Sequence, residues 1–306
     1  MATIRTRFLV ISDTHSRDSI PSSNEPADVA IHCGDLTMGS KLHEFKAAIN
    51  LIKQINAPLK LVIAGNHDFT LDPLAFQNKI HEAQRLQDID PLLIEKEYGY
   101  CGQVRELFDH VDVKKSGIRL LDEGTHYFTL NNGASLTVYA SPYTPSFGEW
   151  GFQYKPDEGH EFAIGSVDLV MTHGPPRGIL DHSMSSRRAG CEHLFDKVAR
   201  CRPRMHCFGH IHGSWGAKLI AWRKTISEKP SHLTDIDNGQ STVIEKLSNI
   251  EASGPRAFYL TSHCAGDANS LQHGRHTLFV NAAIEGSNDF PTHPAWLVDL
   301  DLQRAL

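Results

Sequence analysis

The feature that most constrains this chain is a recurrence. Short apolar, β-prone runs are each followed, within four residues, by a turn carrying aspartate, asparagine or histidine. Phe8-Leu-Val-Ile11 leads to Asp13-Thr-His15, and Val29-Ala-Ile31 leads to Gly34-Asp35. Leu61-Val-Ile-Ala64 leads to Gly65-Asn66-His67-Asp68, and Asp168-Leu-Val-Met171 leads to His173-Gly174. Met205-His-Cys-Phe208 leads to Gly209-His210-Ile211-His212. Apolar runs this short, bounded by glycine, asparagine or proline, read as strands buried on both faces. Further runs of the kind stand at 136–140, 277–280 and 295–300.

Helical periodicity fills the intervals. From Lys41 to Asn56 one stripe holds Leu42, Phe45, Ile49, Ile52 and Ile55, and Pro58 ends the pattern. A second helix is predicted over Gly190–Arg200, stopped by Pro203. Strand–loop–helix alternation implies an α/β layered fold, whose ligands gather at the carboxyl ends of the strands. All five turn segments would then share one rim.

The chemistry follows from the residue types. Carboxylate and amide oxygens suit hard cations, and imidazole suits zinc, iron and manganese. Asp13, His15, Asp35 and His212 form one predicted ligand set; Asp35, Asn66, His173 and His210 form another. Asp35 bridges the two, since a carboxylate offers two oxygens. The expected cofactors are therefore two divalent or trivalent ions: manganese, iron, zinc or magnesium. A hydroxide held by such a pair is a nucleophile suited to in-line displacement at phosphorus. His67 is the predicted acid that protonates the leaving oxygen, with Asp68 orienting it or raising its pKa. Arg17, Arg177, Tyr143 and Trp150 are candidate substrate contacts. The aromatic stretch around the last two reads either as a stacking wall for a base or as a loop packed on the fold.

Composition excludes other classes. With 30 basic and 36 acidic residues in 306, net charge −6 and no block of like charges, strong non-specific binding to nucleic acid or anionic membrane is not expected. No segment has the ~20 apolar residues a membrane span needs, and Met1–Arg7 carries no apolar leader, so a cytoplasmic protein is expected. The six cysteines, at 33, 101, 191, 201, 207 and 264, show no metal-knuckle spacing; Cys33 and Cys207 read as small buried side chains. Residues 1–306 are expected to form a single domain. Within it, 81–119 holds helices in a surface excursion, and 223–275 is a long loop insertion with a short helix near 241–250.

The ordered motifs D-x-H, G-D, G-N-H-D, H and G-H-x-H resemble those of the calcineurin-like metallophosphoesterases. A closer likeness is to the metallophosphoesterase-domain-containing branch of animals. It rests on Ser12–Arg17, Ile63–His67, Pro142–Pro145 with Trp150–Phe152, Met171–Pro176, Gly190-Cys191 and Arg202–His206. The likeness covers about 6–80, 134–222 and 276–300; the stretches 81–119 and 223–275 depart from it. The resemblance implies a four-layer metallophosphoesterase fold, a two-sheet β-sandwich flanked by helices. It also implies phosphodiesterase or phosphatase activity on a small phosphoester, with cyclic nucleotides and aryl phosphodiesters as the associated substrates. The rival expectations are the same two ions doing non-phosphate hydrolase or lyase chemistry on a specialised metabolite, and a binding module that has lost catalysis.

Overall fold

Alternation along the first strand decides the layering. A computed structural model describes residues 2–20, 24–87, 89–183, 187–253, 256–286 and 292–305. In β1 (Thr3–Ile11), Phe8 and Val10 face one apolar core while Leu9 and Ile11 face another. Side chains alternate across a strand, so a strand apolar at consecutive positions must be covered on both faces.

The chain continues through β2 (Val29–His32), α1 (Leu42–Lys53) and β3 (Leu59–Val62). It then makes the helical excursion α2 (Pro73–Gln87), α3 (Pro91–Tyr98), α4 (Gln103–Asp109) and α5 (Val111–Lys115). The strands β4 (Ile118–Leu120), β5 (Gly124–Thr129), β6 (Ser135–Ser141), β7 (Thr144–Pro145), β8 (Gln153–Tyr154) and β9 (Leu169–Thr172) lead to α6 (Glu192–Cys201). After it come β10 (Met205–Phe208), β11 (Gly216–Ala221), β12 (Thr242–Lys246), α7 (Leu247–Ser253), β13 (Phe258–Ser262), β14 (His276–Asn281) and β15 (Ala295–Gln303).

These strands form two large sheets, ordered β13-β15-β1-β2-β3-β4 and β12-β11-β14-β10-β9-β6-β5. In the first, β1, β2, β3 and β4 run parallel, and β15 is antiparallel to β1. In the second, β6, β9, β10 and β14 run parallel. The sheets pack face to face over a core that includes Phe8, Val10 and Ile31 from one and Val138, Met171 and Met205 from the other. Outside the first sheet, Phe45, Ile49 and Ile52 of α1 join Phe108 of α4 and Val113 of α5. Outside the second, Leu194, Phe195 and Val198 of α6 pack on Val170, Phe208 and Phe279. The result is helix, sheet, sheet, helix. At the rim where the parallel strands end, Ser12 bridges Ala283 and joins the two sheets just past β1 and β14.

The predicted loop at 223–275 departs from expectation. It contributes β12, paired antiparallel to β11, and β13, paired parallel to β15, so it adds an edge strand to each sheet. The helix predicted near 241–250 begins later, at Leu247, because Thr242–Lys246 is drawn into the sheet. Residues 254 and 255 of this segment lie outside the described ones. The excursion at 81–119 is helical as predicted and ends in the edge strand β4. Among the described residues, no helix is long and apolar enough to cross a membrane.

Candidate metal centre

Four of the seven predicted ligands leave their strands abruptly through the left-handed region of the backbone. Asp13 has φ 56°, His15 φ 42°, Asp35 φ 53° and His210 φ 65°. A non-glycine residue there costs about 1–3 kcal/mol and persists only when its surroundings hold it. Here Asp13 N donates to Gly34 O at 2.9 Å and His15 N to Asp35 O at 3.1 Å, locking the first two turns together. Glycines permit the approach. At Gly34 a Cβ would sit 2.7 Å from His173 Nδ1; at Gly65 it would strike the Asp35 carboxylate, and at Gly209 that of Asp13.

The turns bring all seven predicted ligands together. Asp13 Oδ1 lies 3.3 Å from His212 Nε2, and Asp35 Oδ2 lies 3.3 Å from His173 Nε2 and 3.8 Å from His15 Nε2. Asn66 Oδ1 is 3.0 Å from His173 Nε2. The rings of His173 and His210 are 4.9 Å apart, those of His15 and His212 5.3 Å. Donor atoms of Asp13, His15 and His212 lie within 4.8 Å of one another, as do those of Asp35, His173 and His210. Backbone carbonyls fix the imidazoles: His15 Nδ1 donates to Thr37 O at 3.1 Å and His173 Nδ1 to Cys33 O at 2.8 Å. A carbonyl can only accept, so Nδ1 carries hydrogen and Nε2 is left for the site, the arrangement metal-binding histidines use.

Electrostatics give an independent test of fit to cations. Burial opposes the charge on Asp13, yet the hydrogen bond and charge of His212, helped by His173 and His15, hold its carboxyl far below the usual range. Burial also opposes Asp35, which His173 keeps down at about 2. His173 in turn is pushed up to about 9, its burial outweighed by Asp35 and Asp13. His212 is raised as well, its hydrogen bond to Asp13 prevailing over burial. His210, half-buried beside the His173 charge, is lowered by desolvation to about 4. Without a cation, a proton on His173 thus offsets one of the two buried carboxylate charges. Two carboxylates, an amide oxygen and four imidazoles converging in this way fit hard or borderline metal ions.

His67 and Asp68 do not work as the predicted pair. His67 Nδ1 donates to Met38 O at 2.7 Å. The Asp68 carboxylate is buried and turned away, accepting from Leu36 N and Thr37 N at 3.0 Å, Gly65 N at 2.9 Å and Thr37 Oγ1 at 2.8 Å. It ties the turn after β3 to the turn after β2 and makes no contact that would orient the His67 ring; Met38 does that. Burial and the nearby Asp35 charge push Asp68 up to about 6 against these four bonds. His67 itself keeps its predicted location: a ring nitrogen lies within 4.8 Å of the donor atoms of His15 and Asp35.

Of the four candidate substrate contacts, Trp150 packs its ring against a site residue. Its ring centroid is 4.3 Å from that of His67. Arg17 is instead paired with Glu285 at 2.7 Å and bonded to Thr292 Oγ1, and Arg177 is paired with Glu192 at 3.2 Å. Both cations are thus paired with carboxylates in this structure. Tyr143 stacks on His160 at 4.4 Å, a packing role. Cys33 and Cys207 are buried, as predicted. His32 and His206 are core residues bonded through Nε2 to Thr14 and Thr172, and burial lowers them to about 4 and about 3.

Sequence reasoning missed several supports. Asn281, at the end of β14, donates to Ile211 O at 3.0 Å and so holds the segment between His210 and His212. Its position after an apolar run was the available signal. Asp72 caps α2 through Leu74 N and Ala75 N while accepting from Phe152 N at 2.8 Å, fixing the loop that carries Trp150.

The profile of the calcineurin-like phosphoesterases matches residues 6–214, which span every one of these ligands. The chain belongs to the calcineurin-like phosphoesterase family. Human metallophosphoesterase domain-containing protein 1 is 32% identical over 221 residues, covering 69% of this chain and 62% of that protein. A UPF0046 protein of Caenorhabditis elegans is 29% identical, covering 72% and 55%. A probable rhamnogalacturonate lyase C of Emericella nidulans is 29% identical, covering 71% of this chain but 18% of that protein. The chain therefore spans less than two thirds of the length of these curated relatives.

Proposed function

We propose that the protein is a dinuclear metal-dependent phosphoesterase acting on a small phosphodiester or phosphomonoester, with cyclic nucleotides among its candidate substrates. One observation carries the reading: Asp35 lies in reach of both donor groups, with His15 on one side and with His173 and His210 on the other. Asp13, His15, Asp35 and His212 would hold one ion; Asp35, Asn66, His173 and His210 would hold the other. When bound, two such ions polarise the phosphoryl oxygens and supply an activated water at neutral pH.

The remaining work belongs to the chain's own groups. His67, its Nδ1–H fixed on Met38, offers Nε2 to the departing oxygen and gives it a proton. Trp150 packs against that imidazole, its ring centroid 4.3 Å away. The Thr37 and Cys33 carbonyls keep His15 and His173 in one tautomer, so the ligand set is preorganised.

A second reading, a lyase or a hydrolase of non-phosphate bonds in a specialised metabolite, draws on the likeness to the probable rhamnogalacturonate lyase C. That match is confined to a small part of the relative, and fold-level likeness does not set substrate. The test is a panel of cyclic nucleotides and p-nitrophenyl phosphomonoesters and phosphodiesters, offered to protein loaded with manganese, iron, zinc or magnesium. Turnover that chelation abolishes is expected. Stoichiometric metal with no turnover of any phosphoester would overturn the phosphoesterase reading in favour of the second.

A further inference from the structure

One cluster of donor atoms is left over when seven side chains are divided between two ions. A ring nitrogen of His67 lies within 4.8 Å of donor atoms of His15 and Asp35, both assigned to the first ion. His15 Nε2 and Asp35 Oδ2 are themselves 3.8 Å apart. The rings of His15 and His67 meet edge to face, with centroids 4.8 Å apart. Zinc bonds of ~2.0–2.1 Å in a tetrahedral shell set ligand atoms ~3.4 Å from one another. A small inward adjustment would therefore let all three residues share one ion.

The His67 ring is held for this contact. Its Nδ1 donates to Met38 O at 2.7 Å, so Nε2 is the nitrogen with a free lone pair. Carbonyls fix Nδ1 of the predicted ligands His15 and His173 in the same way. The His67 backbone N donates to Asp35 Oδ1 at 2.8 Å, tying the residue to the bridging carboxylate. Trp150 packs on the ring with centroids 4.3 Å apart. His67 is thus oriented as a ligand is, although the reaction uses it as an acid. One nitrogen cannot do both: it gives its lone pair to an ion or carries a proton.

The type of ion decides between the two. Asp13, His15, Asp35 and His212 offer two carboxylates and two imidazoles. Adding His67 makes three imidazoles, which suits zinc, whereas manganese and magnesium favour carboxylate, carbonyl and water oxygens.

We propose that His67 is a metal-selective ligand: zinc in the position shared by His15 and Asp35 takes the Nε2 lone pair, whereas manganese or magnesium leaves that nitrogen free to act as the acid. Zinc then holds the enzyme in a slow form. This kinetic consequence rests on the dinuclear phosphoesterase reading, but the coordination is tested without turnover.

Crystals of the full wild-type chain are soaked in zinc or in manganese, and zinc and manganese affinities of wild type and His67→Ala are measured by competition with a chromophoric chelator. A zinc ion bonded to His67 Nε2 at ~2.0–2.1 Å is expected, with no such bond to manganese. His67→Ala is expected to weaken zinc binding at least about tenfold, the scale on which even outer partners of metal ligands act, and to leave manganese binding within about twofold. On esters of poorly acidic alcohols, the variant is expected to lower kcat by about 10²–10⁴-fold with manganese but by less than about tenfold with zinc. Zinc out of bonding range of His67, or equal zinc affinity in the two proteins, would overturn the proposal. The zinc-soaked wild-type crystal decides it even if the variant does not fold. If zinc bonds to His67 while no phosphoester is hydrolysed with any metal, the phosphoesterase reading fails and the coordination stands.

Discussion

His67 presents one nitrogen to the site because the other is bonded to the Met38 carbonyl, whereas the carboxylate of its neighbour Asp68 points into the fold. Adjacent residues thus carry separable tasks, and substitution separates them. His67→Ala is expected to retain metal and lower kcat by about 10²–10⁴-fold on esters of poorly acidic alcohols. The loss on p-nitrophenyl esters, whose leaving group needs little protonation, is expected to be less than about tenfold. Steady-state kinetics across leaving groups, with elemental analysis, check this; equal losses on both ester types would remove His67 from the acid role. Asp68→Asn is expected to behave differently. An amide group would face the N–H groups of Gly65, Leu36 and Thr37, costing about 2–4 kcal/mol of stability and loosening both turns. A lowered melting temperature together with weakened metal binding is the expected outcome; unchanged melting would contradict the clamp role.

The loop after β7 and the turn after β3 are fitted to each other through a glycine. Gly151 N donates to Asn66 O at 3.0 Å, and a Cβ on Gly151 would lie 2.6 Å from Phe69 Cα. Gly151→Ala is therefore expected to lift Trp150 from His67, lower kcat/KM by about 10-fold or more and leave metal content intact. Kinetics and elemental analysis on one preparation check it, and wild-type kinetics would show that the loop tolerates the methyl group. The parallel strands β2, β9 and β10 and the second half of β1 are almost wholly buried, so each is written as an apolar run with its ligand at the end. The edge strands β5, β12 and β13 are partly exposed, and polar residues dilute their pattern. Their state is decided by distant partners, as when Phe258–Ser262 pairs with Ala295–Asp299. At the site, the ligand side chains were legible because their types are rare at strand ends. The carbonyls of Cys33, Thr37 and Met38 were not, since a backbone oxygen carries no residue identity. The ion pairs that occupy Arg17 and Arg177 were hidden for another reason: Glu285 is remote in sequence, and Glu192 lies across a turn.

Across the whole molecule, two sheets meet at a rim that concentrates buried charge, and its stability should depend on what neutralises that charge. In the metal-free protein the proton on His173 offsets part of it. Its pKa in the fold, about 9, is above the ordinary 6.5, so this pairing stabilises fully below about pH 6.5 and is lost as pH rises through about 9. Melting of chelated protein is expected to fall over that window, while metal-loaded protein melts higher and without that decline, because a cation replaces the proton and binds only the folded site. Parallel melting curves with and without chelator check both signs. The central claim, that seven side chains from positions 13 to 212 surround a pair of cations, is tested most directly by anomalous diffraction from manganese-soaked crystals. Two peaks are expected, one among Asp13, His15, Asp35 and His212 and the other among Asp35, Asn66, His173 and His210. A single peak, or none within reach of Asp35, would contradict it.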